Sequence, residues 1–205
     1  DVQCVMQSLS KVASCYHTKL ITTNAKARMD GVDHMPFDEH HALDSAKALL
    51  DRAITAFGRR DKTRASNVPD QKVEMIAGFS HETIGYLLGG MFRASYRPLN
   101  DAIISGRIRG IAGVVGCNQP RIPLDDSHVK MVKELIKHDV IVLQTGCSAI
   151  ACAKAGLLVP EAAARYAGPG LAEVCEAVGI PPVLHLGACV DNSRILLAAT
   201  AVVKE

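Results

Sequence analysis

The pattern of apolar and polar residues changes character near residue 58. Before it, "DEHHALDSAKALLDRAITAF" (38–57) places apolar residues at 43, 46, 49, 50, 53, 54 and 57. That spacing predicts one amphipathic helix, and Gly58 predicts its end. Next comes "GRRDKTRASNVPDQK" (58–72), a polar, charged and proline-containing stretch with no period. Beyond it short apolar runs alternate with helical patterns. Strands are predicted on "KVEMIAGFS" (72–80), "IRGIAGVVGC" (108–117), "VIVLQTGC" (140–147) and "PPVLHLGAC" (181–189). Helices are predicted on "HETIGYLLGGMF" (81–92), "DSHVKMVKELIKHD" (126–139), "SAIACAKAGLL" (148–158), "GLAEVCEAVG" (170–179) and the run from residue 192 onward.

Strands separated by helices imply parallel pairing, so the expected class is α/β with a doubly wound, Rossmann-like parallel sheet. The expected organisation is an incomplete α/β domain tail over 1–60, a linker over 61–72, and the Rossmann-like domain over 73–205. The first part holds one short strand near Leu20 to Thr23. The chain opens on Asp1-Val2-Gln3-Cys4 and stops inside the helical pattern "NSRILLAATAVVKE". These ends read as those of an internal piece of a longer polypeptide.

Composition sharpens the picture. The 205 residues are 48% hydrophobic and 4% aromatic, without tryptophan, as suits aliphatic helices on a parallel sheet. Twenty-three basic and 21 acidic residues give a net charge of +2, which offers no basic excess for nucleic acid. No apolar run approaches the ~20 residues of a membrane-spanning helix. Neither a phosphate-binding GxGxxG or GKS/GKT pattern nor a GxSxG nucleophile turn is present.

The candidate chemistry lies in seven cysteines, at 4, 15, 117, 147, 152, 175 and 189. They do not form the dense framework of a small disulfide-stapled domain, which points to a reducing, cytoplasmic setting. Cys117, Cys147 and Cys189 each follow a predicted strand and a glycine. Ligand sites in open parallel sheets form beyond the carboxyl ends of strands, so the fold should gather these three thiols on one rim. Thiolates bind iron, nickel, copper and zinc, and iron–sulfur clusters are held chiefly by cysteine. Glycine lets backbone approach a bulky cluster. No CxxC pair of the structural-zinc type occurs. Cys152 and Cys175 sit on apolar helix faces and read as core residues. Cys15, beside His17, leans to the same reading, and Cys4 is undecided on chemistry alone. His34, His40 and His41, near Asp33, Asp38 and Glu39, read as an exposed helix start, while His185 is as compatible with the core as with a site.

Several stretches together carry a family resemblance: "GIAGVVGCNQP", "VIVLQTGCSA", "AKAGLL", "GIPPVLHLGACVDNSR" and "DVQCVMQSL" with "CYHTKLITT". The chain resembles, over essentially its whole length, the catalytic subunit of anaerobic nickel–iron carbon monoxide dehydrogenases. Family members usually read Asn-Asn where this chain has Asn118-Gln119, and often Gly-Ser-Cys where it has Gly187-Ala188-Cys189. Neither change removes a thiol.

The resemblance implies an oxidoreductase that interconverts CO and CO2, with water as co-substrate, at a nickel–iron–sulfur ([Ni-4Fe-4S] type) cluster. It implies that Cys189 reaches nickel and that Cys117, Cys147 and Cys4 bind iron. It matches Cys15, Cys152 and Cys175 to no ligand. Residues 1–60 correspond to the end of a middle α/β domain. A further histidine and cysteine ligand, a lysine and a histidine that assist the chemistry, and the electron-relay [4Fe-4S] clusters of an N-terminal part have no counterpart here. The 205 residues alone are therefore expected to be inactive. A ferredoxin-type electron carrier, a homodimer and an acetyl-CoA synthase subunit are the implied partners. Two alternatives stand beside this reading: a hybrid-cluster, hydroxylamine-reductase-like relative, and a metal-free truncated α/β module that only binds a partner.

Overall fold

A computed structural model describes residues 21–23, 28, 32–63, 69–90, 94–118 and 121–204. Two compact units meet in sequence between Asp70 and Gln71. In the first, β1 (Ile21–Thr22) pairs in parallel with β2 (Asp33–His34). Buried Thr22 shares a hydrogen bond of 2.9 Å between its hydroxyl and His34 Nδ1.

Helix α1 (Ala42–Arg59) follows. It starts four residues later than the periodicity suggests, because Asp38 turns the chain: its carboxylate accepts the His40 amide at 2.9 Å and meets the His41 ring at 2.8 Å. The His41 hydrogen bond, then the His40 amide, hold the Asp38 carboxyl below its usual range. At the other end the helix runs past Gly58, which a last turn tolerates, and the Arg60 amide closes onto the Phe57 carbonyl. Leu43, Leu50, Ile54 and Phe57 of α1 are all exposed among the described residues.

The second unit is built on a parallel sheet in the order β3 (Gly110–Val114), β4 (Val140–Thr145), β5 (Val183–Gly187). β4 is the middle strand of the three and is covered on both faces, which is why "VIVLQT" is not an alternating run. The predicted strand at 72–80 is reduced to one bridge, Ala77 to His185. Gly78 at φ +90° bends the chain there, and the Gly78 and Phe79 amides both converge on the His185 carbonyl, so no ladder continues.

Helices cover both faces of the sheet. On one side α2 (His81–Gly89) and α3 (Arg97–Ile104) pack with α8 (Asn192–Lys204), which also lies on β4 and β5. On the other, α4 (Asp126–Lys137) packs on β3 and β4 and against α5 (Gly146–Lys154). Helix α6 (Glu161–Tyr166) packs on α4 and α7 (Pro169–Val178). This is a doubly wound arrangement, with helices layered on both faces of a parallel sheet. The helices α3 and α6 have no counterpart in the sequence pattern, since eight and six residues hold too few turns to show a period. The core is aliphatic: Val132 and Ile136 of α4, Ile141 to Leu143 of β4, Val183 and Leu184 of β5, and Ile195, Ala198 and Val202 of α8. Gly113 permits the α8 approach, because a Cβ there would meet Ile195 Cγ2 at 2.9 Å.

Candidate metal centre at the carboxyl edge of the sheet

The three cysteines that follow predicted strands lie beyond the carboxyl ends of three adjacent parallel strands. Cys117 is three residues past β3, Cys147 is the second residue of α5, and Cys189 opens a 3-10 turn (Cys189–Asp191) between β5 and α8. All three are exposed. Parallel pairing makes this inevitable: strands that run the same way end on the same edge.

Two of these turns are in direct contact. Gly146 has φ +58°, and the Cys189 sulfur occupies the place a Cβ on Gly146 would take. Only glycine is compatible with both the left-handed backbone and the neighbouring sulfur. The pairing of β4 with β5 slips between Gln144 and Thr145, which sets Thr145 opposite Gly187. Buried Thr145 donates its hydroxyl to Asn192 Oδ1, the first residue of α8. The end of β4 is thereby tied to the segment just after Cys189.

The Cys189 turn has its own support. The Asp191 carboxylate accepts the Ala188 amide at 2.9 Å and the Arg194 Nε–H at 3.1 Å, and Arg194 also lies 3.6 Å from Glu82. Gly187, at φ +140°, leaves the room that the Asp191 carboxylate fills. Buried His185 accepts the Gly187 amide on Nδ1 at 3.1 Å, so its proton sits on Nε2. Burial pushes the imidazole below its usual range and keeps it neutral.

The Cys117 turn is held from α4 and α5. His128 donates Nε2–H to the Cys117 carbonyl at 3.3 Å. Ser148, fully buried, donates to the Val114 carbonyl at 2.9 Å and accepts from Gln144 Nε2 at 2.6 Å. Cys4, Cys15 and His17 lie outside the described residues. Among the described residues no group of three His, Cys, Asp or Glu stands close enough to hold a single metal ion. A cluster makes a different demand, because each thiolate addresses a separate metal atom and the ligands stand wider apart.

Cys152 and Cys175 are buried in the hydrophobic core, as their helical spacing implies. Burial pushes the Cys152 thiol up to about 11 and the Cys175 thiol up to about 12, which keeps both protonated. The histidine-rich start of α1 gathers no metal-binding group among the described residues, and His34 is engaged with Thr22.

Over residues 1–205 the chain matches the Prismane/CO dehydrogenase family. It belongs to that family. It is 52% identical over 204 residues to carbon monoxide dehydrogenase 1 of Methanosarcina mazei, covering 100% of this chain and 32% of that protein. It is 44% identical over 210 residues to carbon monoxide dehydrogenase of Rhodospirillum rubrum, covering 98% and 33%. Among solved structures, carbon monoxide dehydrogenase IV from Carboxydothermus hydrogenoformans aligns with a TM-score of 0.82 at 42% identity, over 100% of this chain and 34% of that one. An as-isolated, Ni-free carbon monoxide dehydrogenase from Thermococcus sp. AM4 aligns with a TM-score of 0.79 at 47% identity, over 95% and 30%. The chain thus spans about one third of the length of these relatives. Among its described residues no helix is long and apolar enough to cross a membrane.

The residues that tie the turns together, Thr145, Ser148, Asp191 and Asn192, lie within the stretches "VIVLQTGCSA" and "GACVDNSR" but have no chemical signature of their own. Their sequence signal is only adjacency to a Gly-Cys turn or to a helix start.

Proposed function

We propose that this chain is part of the catalytic subunit of an anaerobic carbon monoxide dehydrogenase, an oxidoreductase for the reversible oxidation of CO to CO2. The observation that carries the reading is the Cys189 sulfur seated against Gly146, beside Cys147, at the carboxyl edge where Cys117 also emerges. The relatives named carbon monoxide dehydrogenase support it over the hybrid-cluster alternative. The donor set suits a nickel–iron–sulfur cluster: thiolates on separate turns, with side-chain-free glycine between two of them. Cys117, Cys147 and Cys4 would hold iron and Cys189 nickel. When bound, such a cluster supplies the two-electron redox chemistry of CO and CO2.

The residues of this chain supply placement. Thr145 and Asn192 hold the Cys147 and Cys189 turns together, and Asp191 with Arg194 fixes the backbone before Cys189. The first-turn amides of α5 favour negative charge beside Cys147. Neutral His185 braces the Gly187 bend without adding positive charge.

The same reading carries water as co-substrate, a ferredoxin-type electron carrier, further [4Fe-4S] clusters elsewhere in the subunit, a homodimer and a cytoplasmic location. An acetyl-CoA synthase partner is supported by a relative from Moorella thermoacetica named carbon monoxide dehydrogenase/acetyl-CoA synthase subunit beta, 41% identical over 204 residues. Domain limits of 1–60 and 73–205 around a linker at 61–72 are part of it, and the contact boundary at Asp70 supports the linker.

The test is metal content and CO oxidation with a viologen acceptor in the full-length protein. Ala at Cys4, Cys117, Cys147 or Cys189 should deplete iron or nickel and abolish turnover. Cys175→Ala should keep its metals and lose about 1 kcal/mol of stability through a small cavity. The 205-residue chain alone should give no turnover after reconstitution. Full metal content and activity in Cys189→Ala, or nickel-dependent turnover by the 205 residues alone, would overturn the reading.

A further inference from the structure

Cys117 differs from the other two thiols in how it is held. Cys147 lies inside a helix and Cys189 in a 3-10 turn, whereas residues 115–118 have no regular structure. A backbone without a ladder or helix must be fixed by side chains or move. Asn118, next to Cys117, adds a second hold beside the His128 bond to the Cys117 carbonyl. Its Nδ2–H donates to Asp125 Oδ1 at 2.8 Å, and its Oδ1 accepts the Asp125 amide at 2.8 Å. The two bonds are reciprocal, so they set orientation as well as distance. Asp125 reaches this position with a left-handed backbone, φ 67°, a conformation that Asp adopts more readily than most side chains.

The other Asp125 oxygen is engaged by Lys154. Lys154 is the last residue of α5, the helix whose second residue is Cys147. Ala149, Ala151, Cys152 and Ala153 of this helix are buried, so it is anchored in the core. The seven residues from Cys147 to Lys154 correspond to roughly 10 Å of axial rise, fixed by helix geometry. Asp125 is largely shielded, at 16% side-chain exposure, unlike an ordinary surface ion pair. Lys154 first, then Asn118, hold its carboxyl below the usual range.

We propose that Asn118, Asp125 and Lys154 form a clamp that fixes the Cys117 turn to the helix carrying Cys147 and so sets the spacing of these two thiols. The inference rests on the reading above that both ligate one cluster. The three are positioning residues: Asn118 orients the chain at Cys117, Asp125 joins, and Lys154 references the joint to α5.

The experiment uses the full-length protein in two states. With the cluster bound, the readouts are the rate of iron removal by a chelator and the cluster's EPR line shape. With metal removed, the readout is amide exchange of residues 115–118. Asn118→Ala and Lys154→Met should release iron about tenfold faster or more, the scale seen when residues supporting metal ligands are lost. They should also broaden the EPR signal and speed exchange at 115–118. Asp125→Asn keeps a side chain suited to the left-handed backbone but loses the ion pair, so it should fall between them and the parent. Lys154→Arg restores the charge and should restore slow iron release. Parent-like exchange at 115–118 in Asn118→Ala overturns the clamp. So does faster iron release that tracks only a lower melting temperature and is not rescued by Lys154→Arg. Cys117→Ala tests the underlying reading separately: if it retains the parent's iron, Cys117 is no ligand, and exchange in the metal-free protein still decides whether the clamp exists.

Discussion

Ser148→Ala should be far more damaging than the loss of one hydroxyl on a helix suggests. Ser148 is fully buried, and so is Gln144. The serine accepts Gln144 Nε2 at 2.6 Å and donates to Val114 at 2.9 Å, while Gln144 Oε1 has no hydrogen-bond partner. Removing the hydroxyl strands the Gln144 amide in the core, at about 1–3 kcal/mol, and ends a neutral hydrogen bond contributing about 1 kcal/mol. The sum is about 2–4 kcal/mol. Replacing both partners by apolar groups avoids the stranded amide, so Gln144→Leu with Ser148→Ala should be more stable than Ser148→Ala alone. Thermal melting of the parent, both single variants and the double variant, followed by far-ultraviolet circular dichroism, gives the four values required. Simple additivity of the two changes, or a loss below about 0.5 kcal/mol for Ser148→Ala, would refute the reasoning, since contacting residues in one network should couple.

The glycine turns and the buried thiols set two further outcomes. Gly146→Ala places a Cβ on the Cys189 sulfur and in a left-handed backbone, so it should deplete cluster iron and lose stability. Gly78→Ala, with φ +90° but nothing within 4 Å of the added carbon, should show the backbone strain while keeping iron. Equal iron loss in both would mean that strain alone matters. The buried thiols predict an alkaline loss of stability. Their folded pKa values, about 11 for Cys152 and about 12 for Cys175, lie above the unfolded value of about 8.5. The stabilising contribution is full below the unfolded pKa and is lost as pH rises through the folded pKa. The slope is about 1.4 kcal/mol per pH unit for each thiol. Melting between pH 8 and about 10.5 should fall less steeply in Cys152→Ala with Cys175→Ala than in the parent. Parallel slopes would sink this account.

Local patterning determined a good deal of this protein. The run "VIVLQT" reads as a strand between turn signals, and the helical spacing of Leu171 and Cys175 puts the thiol of Cys175 on the apolar face. Once strands and helices alternate, parallel pairing follows, and with it the gathering of Cys117, Cys147 and Cys189 on one edge. These conclusions depend on short-range periodicity and on chain direction, which a sequence carries explicitly. Family membership was legible too, because the Gly-Cys turns are contiguous words such as "TGCSA" and "GACVDNSR".

Tertiary structure decided what depends on distance in the chain. Residues 72–80 have the composition of a strand, but Gly78 and the convergence on the His185 carbonyl leave them a single bridge. The seat of the Cys189 sulfur on Gly146 joins residues 43 positions apart, and the bond from Thr145 to Asn192 spans 47. Lys154 meeting Asp125 is equally invisible in the pattern, where one reads as the interior of a helix over 148–158 and the other as a loop. Hydrophobic periodicity records which face of an element is buried. It does not record which neighbour covers that face, and sites assembled from turns are made of those neighbours.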